Sequence, residues 1–229
     1  MAVYYIQHTK ADCIKFVGHL DLQTTIHRNI NRAELKIAFS QGFSPHMLMS
    51  SAQPLSVGVS SEAEYLMVEL DTAKSELEIL NDLNRTAPAG ISYKKVRLME
   101  PGTSSPMSLL DAVESVVKIP STQDFAETIR TALNGNDPML VVTTNKKGVE
   151  STRDIRPLIK PGATVVWSYG YTTLTLTTYA GCRRHLNLDH LLKYLKETAP
   201  GVSPNRFIHI RRLEMYTERN GELISLGDI

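Results

Sequence analysis

The chain has 229 residues, with 25 basic and 24 acidic side chains and a hydrophobic fraction of 42%. This composition is typical of a globular protein with one large or two small domains. The near-neutral charge does not indicate nucleic-acid binding through a broad basic surface, so any phosphate contact must be a local patch.

The compartment is indicated by the termini, the apolar segments and the cysteines. Residues 1–10 lack the basic and apolar regions of a signal peptide, and no apolar segment approaches the roughly 20 residues that span a bilayer. Cys13 and Cys182 lie far apart, which indicates reduced thiols rather than a disulfide framework. An iron–sulfur cluster needs a group of neighbouring cysteine thiolates. We therefore expect a cytoplasmic protein that contacts no membrane and holds no such cluster.

The first half of the chain alternates between strand and helix patterns. Apolar residues at Val3 and Tyr5 alternate as in a strand. A helical face is predicted by spacings of four, four and three between Leu22, Ile26, Ile30 and Ala33. Further strands are predicted at 47–52, 64–71 and 91–99, with a helix at 75–85. The resulting order, β-α-β-β-α-β, is that of the ferredoxin-like (split βαβ) arrangement on one antiparallel sheet.

The second half repeats this rhythm after a Pro- and Gly-containing linker at 101–106. Strands are predicted at 113–119, 139–144 and 206–218, a hairpin at 164–169 and 171–179, and helices at 122–133 and 189–198. We therefore predict an α+β protein of two consecutive ferredoxin-like halves with antiparallel sheets. The expected domains are 1–105 and 106–229.

The first half contains the densest group of candidate binding residues. They occupy the start of the first helix, the loop after it and the link between the two central strands: His19, Asp21, Gly42, Phe43, His46, Ser61 and Glu62. Asp21 suits the positive end of a helix dipole, and a histidine there commonly caps a backbone group. The alternative is an anion site at the helix N-terminus.

The loop residues have their own interpretations. Gly42 is most simply a turn residue, whereas Phe43 beside His46 places an aromatic ring where a planar group can be received. Metal binding by His19, Asp21 and His46 lacks a ligand spacing of known specificity. We therefore expect neither a metal site nor a cofactor.

In the second half, Lys146-Lys147-Gly148 forms a basic turn ahead of Arg153, Asp154 and Arg156. Arginines on either side of an aspartate pair with it, or hold a carboxylate or phosphate through two hydrogen bonds. A serine-hydrolase elbow, a Walker loop and a dinucleotide glycine fingerprint are all missing from the sequence.

Five segments resemble the blocks of a known family, the radical-SAM-linked bacterial proteins of unknown function. The five segments are Lys15-Phe-Val-Gly-His-Leu-Asp-Leu22, Phe39-Ser-Gln-Gly-Phe-Ser-Pro-His46, the run from Pro54 to Glu64, Asp154-Ile-Arg-Pro157 and Arg212-Leu-Glu-Met-Tyr216. Ser44 departs from the family, which tends to have asparagine there. These proteins occur alone or follow a radical SAM and cobalamin-binding enzyme. The resemblance implies a bacterial accessory protein whose partner holds the iron–sulfur cluster.

Our leading hypothesis is a substrate-binding module that presents RNA or another phosphate-bearing substrate to a radical SAM enzyme. The first-half residues would form the main recognition surface, and Arg153, Asp154 and Arg156 a second contact. RNA is favoured because paired ferredoxin-like domains often bind it. The alternatives are a metal-independent RNA-processing enzyme with a loop histidine as general base, and a scaffold without a ligand.

Overall fold

The structure is a computed structural model of the chain and describes residues 1–100, 102–144 and 148–229. It divides into two compact units: unit 1 is Met1–Asp111 with Arg212–Ile229, and unit 2 is Ala112–Arg211. The division expected from the sequence, 1–105 and 106–229, differs in placing the C-terminal segment with the second half. Pro101 of the expected linker, and Lys146 and Lys147 of the expected basic turn, lie outside the described residues.

The described elements are eleven strands and five α-helices, numbered in chain order. The strands are β1 Ala2–Lys10, β2 Met49–Ser51, β3 Val59–Leu70, β4 Tyr93–Met99, β5 Ala112–Pro120, β6 Leu140–Thr144, β7 Glu150–Asp154, β8 Thr164–Ser168, β9 Tyr171–Tyr179, β10 His209–Arg219 and β11 Glu222–Ser225. The helices are α1 His19–Arg32, α2 Glu76–Arg85, α3 Pro106–Leu109, α4 Gln123–Asn134 and α5 Leu188–Thr198. The α+β class predicted from the sequence is confirmed.

Unit 1 is built on a sheet whose strand β1 is antiparallel to both of its neighbours. β1 pairs with β3 on one side and with β4 on the other, β2 and β10 both pair with β3, and β11 pairs with β10. The elements up to β4 follow in the order β-α-β-β-α-β. However, β2 has only three residues, and β3 is also paired with a strand from the other end of the chain. The ferredoxin-like interpretation therefore stays a prediction.

The core of unit 1 lies between this sheet and its helices. Leu22, Ile26 and Ile30 of α1 are buried in one cluster with sheet residues such as Ile6 and Leu66. This is the helical face that the sequence spacing predicts. Helix α2 begins with a capping box, in which Ser75 and Glu78 satisfy each other's backbone N–H groups. The packing of α1 sets the direction of its first turn, where His19 lies.

In unit 2, three antiparallel strands lie in the order β5-β9-β8. Phe125 and Ile129 of α4 and Leu191 of α5 share a buried cluster with Leu174 and Leu176 of β9, so both helices cover one side of the sheet. β6 and β7 form a separate two-stranded sheet. β7 was not predicted, because its sequence, Glu-Ser-Thr-Arg-Asp, has no apolar alternation. All five of its residues are exposed.

Candidate functional site

A small, open cleft lies in unit 1, where β1, β3, the first turns of α1 and the segment after β2 meet. Its walls are partly apolar and partly polar. They consist of His8, His19, Leu22, Gln23, Ile26, Ser51, Gln53, Leu55, Glu64, Tyr65 and Leu66. Histidine, glutamine and carboxylate groups beside apolar side chains are the usual lining of a small-molecule site.

The polar floor of the cleft begins with a cross-strand pair. His8 of β1 lies directly opposite Glu64 of β3 in the antiparallel ladder, so the two side chains share one side of the sheet. Both are buried, with 2% and 7% of their surfaces exposed. They continue the row of Ile6 and Leu66, which are also opposite each other. The sheet side that packs the apolar core therefore ends in two titratable groups.

Glu64 is held by an arginine from the C-terminal segment. Arg212 Nη1 donates to Glu64 Oε1 at 2.8 Å, and both side chains are more than nine-tenths buried. The same guanidinium also contacts Gln53. Nη1 is 3.5 Å from the backbone carbonyl oxygen of Gln53, and Nη2 is 3.4 Å from its side-chain Oε1. A buried carboxylate needs such a partner, because an unpaired buried charge is strongly destabilising. The ion pair fixes the position of Glu64 and Gln53 in the wall of the cleft.

His8 is neutral near pH 7 in this environment. Burial lowers its pKa, and the nearby Glu64 carboxylate and a backbone hydrogen bond oppose that effect only in part. Its Nδ1 lies 3.1 Å from the carbonyl oxygen of Thr9. A carbonyl oxygen only accepts hydrogen bonds, so Nδ1 must carry the proton. Nε2 of the neutral ring is therefore an acceptor for a group bound in the cleft.

A buried lysine holds the segment that leads into α1. Lys10 Nζ donates to the carbonyl oxygens of Lys15 and Val17, each at 2.9 Å. Burial lowers the pKa of Lys10, while the Glu64 carboxylate acts in the opposite direction. Because Val17 directly precedes the N-cap Gly18 and Lys15 lies three residues before it, Lys10 positions the start of α1 and with it His19.

Tyr65 joins the cleft wall to the C-terminal segment. Its hydroxyl donates to Glu214 Oε1 at 2.6 Å and lies 3.3 Å from Ser225 Oγ. Burial, followed by the hydrogen bond to Glu214, raises the pKa of the phenol. The side chain therefore stays neutral and presents its ring to the cleft.

Of the predicted first-half residues, the structure brings His19 into the cleft. It is the first residue of α1 and is half-buried, whereas Asp21 is exposed in the same turn. Ser61 is buried on β3, where its Oγ accepts from the backbone N–H of Ala63 at 3.2 Å, and Glu62 points outward and is exposed. Asp21, Ser61 and Glu62 are outside the set of residues that line the cleft.

The predicted loop residues form a closed loop of their own. Ser40 N donates to His46 O at 2.9 Å, His46 N donates to Ser40 Oγ at 3.1 Å, and Ser40 Oγ lies 2.8 Å from His46 Nδ1. Gly42 has a φ of 136° within this loop, a conformation that favours glycine. The Phe43 side chain is fully exposed. The loop presents an aromatic ring to solvent, and neither Phe43 nor His46 lines the cleft.

The predicted second-half residues lie in unit 2 and have structural partners there. The Arg156 guanidinium donates to the carbonyls of Ala132, Leu133 (2.8 Å) and Asp137 (3.1 Å), so it caps the C-terminal end of α4. Asp154 Oδ1 accepts from the backbone N–H groups of Met139 at 2.9 Å and Arg156 at 3.0 Å. Arg153 is exposed on β7. Two of the three side chains therefore satisfy backbone groups.

His8 was not predicted as a site residue, and Glu64 and Arg212 belong to the resemblance blocks without a predicted role. A signal for two of them was present. Glu64 lies an even number of positions from Leu66, Val68 and Leu70, and His8 lies two positions from Ile6. In a strand, residues spaced in this way face the same side of the sheet. A titratable residue on the apolar side of a strand is a candidate for a buried polar site. The pairing of Arg212 with Glu64 has no local sequence signal.

Within residues 1–100, 102–144 and 148–229, no group of three or more histidine, cysteine or acidic side chains is arranged to hold a metal ion. Cys13 and Cys182 are both exposed free thiols. No helix in the described part of the chain has the length and apolar character needed to cross a membrane.

Comparison with known proteins places the chain in a family. A family model described as "Uncharacterized protein conserved in bacteria (DUF2344)" matches residues 4–189. The chain belongs to this family. The DUF2344 match covers His8, His19 and Glu64 of the cleft, whereas Arg212 follows its last matched residue. A search of curated proteins found no match to the chain.

Two solved structures resemble this DUF2344 chain weakly. A chain of a Cbf5-Nop10-Gar1 complex aligns over 93% of this chain and 48% of its own length, with 10% identity and a TM-score of 0.47. The chain thus spans about half the length of that relative. An unknown protein from Galdieria sulphuraria aligns over 86% of this chain and 92% of its own, with 12% identity and a TM-score of 0.25. Likenesses of this degree carry no argument about function.

Proposed function

We propose that the chain is an accessory substrate-binding module that holds one planar polar group of its substrate in the unit 1 cleft. The observation that carries this proposal is the neutral His8, buried beside the Glu64–Arg212 ion pair and opening into the cleft. A neutral imidazole, a fixed carboxylate and glutamine amides offer both acceptors and donors at defined positions. A nucleobase has complementary donors and acceptors on its edge.

The apolar wall of the cleft suits the faces of such a ring. Leu22 and Ile26 of α1 and Leu55 of the segment after β2 line the same space as His8 and Glu64. Aliphatic side chains bury the face of a planar group, while the polar floor reads its edge. The substrate in this proposal is RNA or another phosphate-bearing molecule, of which the cleft takes the base rather than the phosphate.

The partner in this proposal is a radical SAM enzyme, as the sequence resemblance implies. Three of the resemblance blocks supply residues at the cleft: His19 from the first, Glu64 from the third and Arg212 from the last. A shared site is a physical reason for these separated segments to have a common role. Co-expression of the chain with the radical SAM enzyme of the same genome tests the partnership. Co-elution on size exclusion supports it, and separate elution rejects it.

The cleft itself is tested with free nucleosides as probes. In the parent protein, one of the four ribonucleosides should raise the thermal midpoint in a concentration-dependent way. His19→Ala and Gln23→Leu should remove this shift, because each takes a polar group from the wall. His190→Ala and Gln41→Leu are the matched controls outside the cleft and should keep it. The proposal fails if no nucleoside produces a shift, or if the controls lose it equally.

A second candidate function, RNA processing with histidine as general base, is favoured by the same neutral His8. An imidazole that keeps Nε2 free near pH 7 is in the state a general base requires. This residue is on a strand and not on a loop as the sequence hypothesis held. Incubation with a labelled RNA distinguishes the two functions, since only the enzyme releases products. Abolition of that release by His8→Gln would then assign the base.

A further inference from the structure

The two units differ in charge, although the whole chain is nearly neutral. Unit 2 carries thirteen Lys and Arg against eight Asp and Glu, whereas unit 1 carries twelve against sixteen. The formal charges are therefore +5 and −4. A polyanion is attracted to unit 2 and repelled by unit 1, so the cleft and a phosphate-binding surface need not coincide.

Four of the basic side chains of unit 2 lie against two tyrosines at the ends of β9. Tyr171 lies between Lys118, whose Nζ is 4.5 Å from the ring centroid, and Arg206, whose Cζ is 4.3 Å away. Arg206 Nη2 also donates to the Tyr171 hydroxyl at 2.7 Å. Cation–π contact and the hydrogen bond hold these charges in place without neutralising them.

Tyr179 repeats the arrangement at the other end of the strand. Lys160 Nζ lies 4.5 Å and Arg184 Cζ 3.5 Å from its ring centroid. Tyr171 and Tyr179 are eight positions apart, so both face the same side of β9, about 26 Å from each other. This is the side opposite Leu174 and Leu176, which pack under α4 and α5. Glu114 is the acidic residue of β5 on this side, opposite Thr177.

Two exposed aromatic rings flank the Tyr171 cluster. Tyr169 is 97% exposed in the turn before β9, and Phe207 is 80% exposed next to Arg206. Tyr169 has a φ of +49° and Gly170 a φ of +75°, whereas the β10–β11 turn uses Asn220 and Gly221 at comparable angles. Asparagine and glycine are the favoured residues for such a turn, and tyrosine is strained there. The exposed Tyr169 ring is therefore kept at a conformational cost, which favours a role outside the folding core.

We infer that this surface, comprising Lys118, Tyr169, Tyr171, Arg206 and Phe207 with the Tyr179 cluster, binds single-stranded nucleic acid. The fixed cations contact phosphates, and Tyr169 and Phe207 stack on unpaired bases. Sequence-tolerant binders of single strands combine these two features. The inference goes beyond the proposed function, because it assigns a second binding surface to unit 2. It rests on the residues of unit 2, so it stands or falls separately from the cleft.

The charge contribution is tested by fluorescence anisotropy with a labelled ten-nucleotide oligo(U) RNA and its DNA counterpart. The double variant Lys118→Gln/Arg206→Gln should reduce the slope of log affinity against log salt by about 1.4, since each single-strand phosphate contact contributes roughly 0.7. At 0.1 M salt this corresponds to about a twentyfold weaker complex. The control Lys193→Gln/Lys196→Gln removes the same charge from α5 and should leave the slope unchanged.

The stacking contribution is tested separately. Tyr169→Ser/Phe207→Ser should weaken binding of the single strand at least about fivefold per ring and leave an RNA duplex unaffected. Equal loss of affinity in the α5 control, or binding of polyphosphate as tight as that of the oligonucleotide, overturns the inference. The cleft variants His19→Ala and Gln23→Leu leave the unit 2 residues in place, so any loss of oligonucleotide affinity in these variants reports on the cleft. If they abolish it while the unit 2 variants do not, the nucleic acid binds at the cleft and this surface is not its site.

Discussion

Arg212 Nη1 donates to Glu64 Oε1 at 2.8 Å across a sequence separation of 148 residues, and both side chains are buried. The contact fixes the C-terminal segment to the strand that forms the floor of the cleft. It also gives Glu64 the positive partner that a buried carboxylate requires. Stability and the geometry of the site therefore depend on the same ion pair.

Breaking this ion pair from one side should be far more costly than removing it. Glu64→Leu or Arg212→Met leaves one buried charge without its partner, and each should lower the free energy of unfolding by about 3–5 kcal/mol. The double variant should lose much less than the sum of the two. Urea unfolding of the four proteins measures the coupling.

The exposed pair Lys95–Asp228 provides the control for that comparison of single and double variants. Its Nζ and Oδ1 are 2.7 Å apart, but the side chains are 40% and 65% exposed. Lys95→Met should cost less than about 1 kcal/mol, because solvent screens a surface pair. Additive losses at Glu64 and Arg212, or losses no larger than at Lys95, would show that the buried pair is not coupled.

The purified chain should take up no iron–sulfur cluster. Its two thiols, Cys13 and Cys182, belong to unit 1 and unit 2 respectively, and both are exposed. A cluster requires several thiolates at one place. Anaerobic reconstitution with iron and sulfide should therefore give no stoichiometric charge-transfer absorbance. A cluster at one equivalent per chain would contradict this, and its loss in Cys13→Ser would identify a ligand.

Replacing Tyr169 by the residue that its turn favours should stabilise the fold. Its φ of +49° suits asparagine, and its exposed ring buries little surface in exchange. We expect Tyr169→Asn to raise the free energy of unfolding by about 1 kcal/mol, since a left-handed conformation costs a bulky residue about that much. The reverse change, Asn220→Tyr, should lower it similarly. A Tyr169→Asn variant less stable than the parent would show that the ring has a packing role.

The sequence predicts the elements of both units well where their residues alternate or repeat. β9 was expected at 171–179 and is Tyr171–Tyr179, because buried and half-buried residues alternate along its whole length. α1 was recognised by Leu22, Ile26 and Ile30, all of which are buried. Local periodicity reflects one-sided burial, and both elements are buried on one side.

The arrangement of these elements was harder to predict, because strand pairing joins residues far apart in the sequence. Nothing in the run from Arg212 indicates that it lies beside β3 rather than in the second half. His19 was found because polar residues at a helix start are conspicuous. His8 was missed because a single histidine in an alternating strand resembles any other strand residue until its side of the sheet is known.

His8 should make the stability of the protein fall as the pH is lowered through about 6.5, the pKa of an unfolded histidine. Burial lowers its pKa in the folded protein, whereas in the unfolded chain it returns to about 6.5. Below that pH the unfolded state binds the proton first, so stability falls as the pH is lowered and is fully present above the unfolded pKa. The titratable or charged groups that face His8 or its cleft are Glu64, Arg212, Lys10, His19, Tyr65 and Tyr93. His8→Gln keeps a donor for the Thr9 carbonyl and cannot titrate.

The matched control is His27, whose pKa burial also lowers but whose side chain is only half-buried. Urea unfolding at about pH 5.5 and 7.5 should show a smaller stability difference for His8→Gln than for the parent. His27→Gln should reduce that difference less, because a half-buried imidazole is protonated at a smaller cost. The Asp228 and Glu78 carboxylates, whose pKa values are lowered by hydrogen bonds, lose their contributions only at lower pH. If the parent and His8→Gln have the same pH dependence, His8 is not held neutral by the fold, and the acceptor that the proposed site requires is not there.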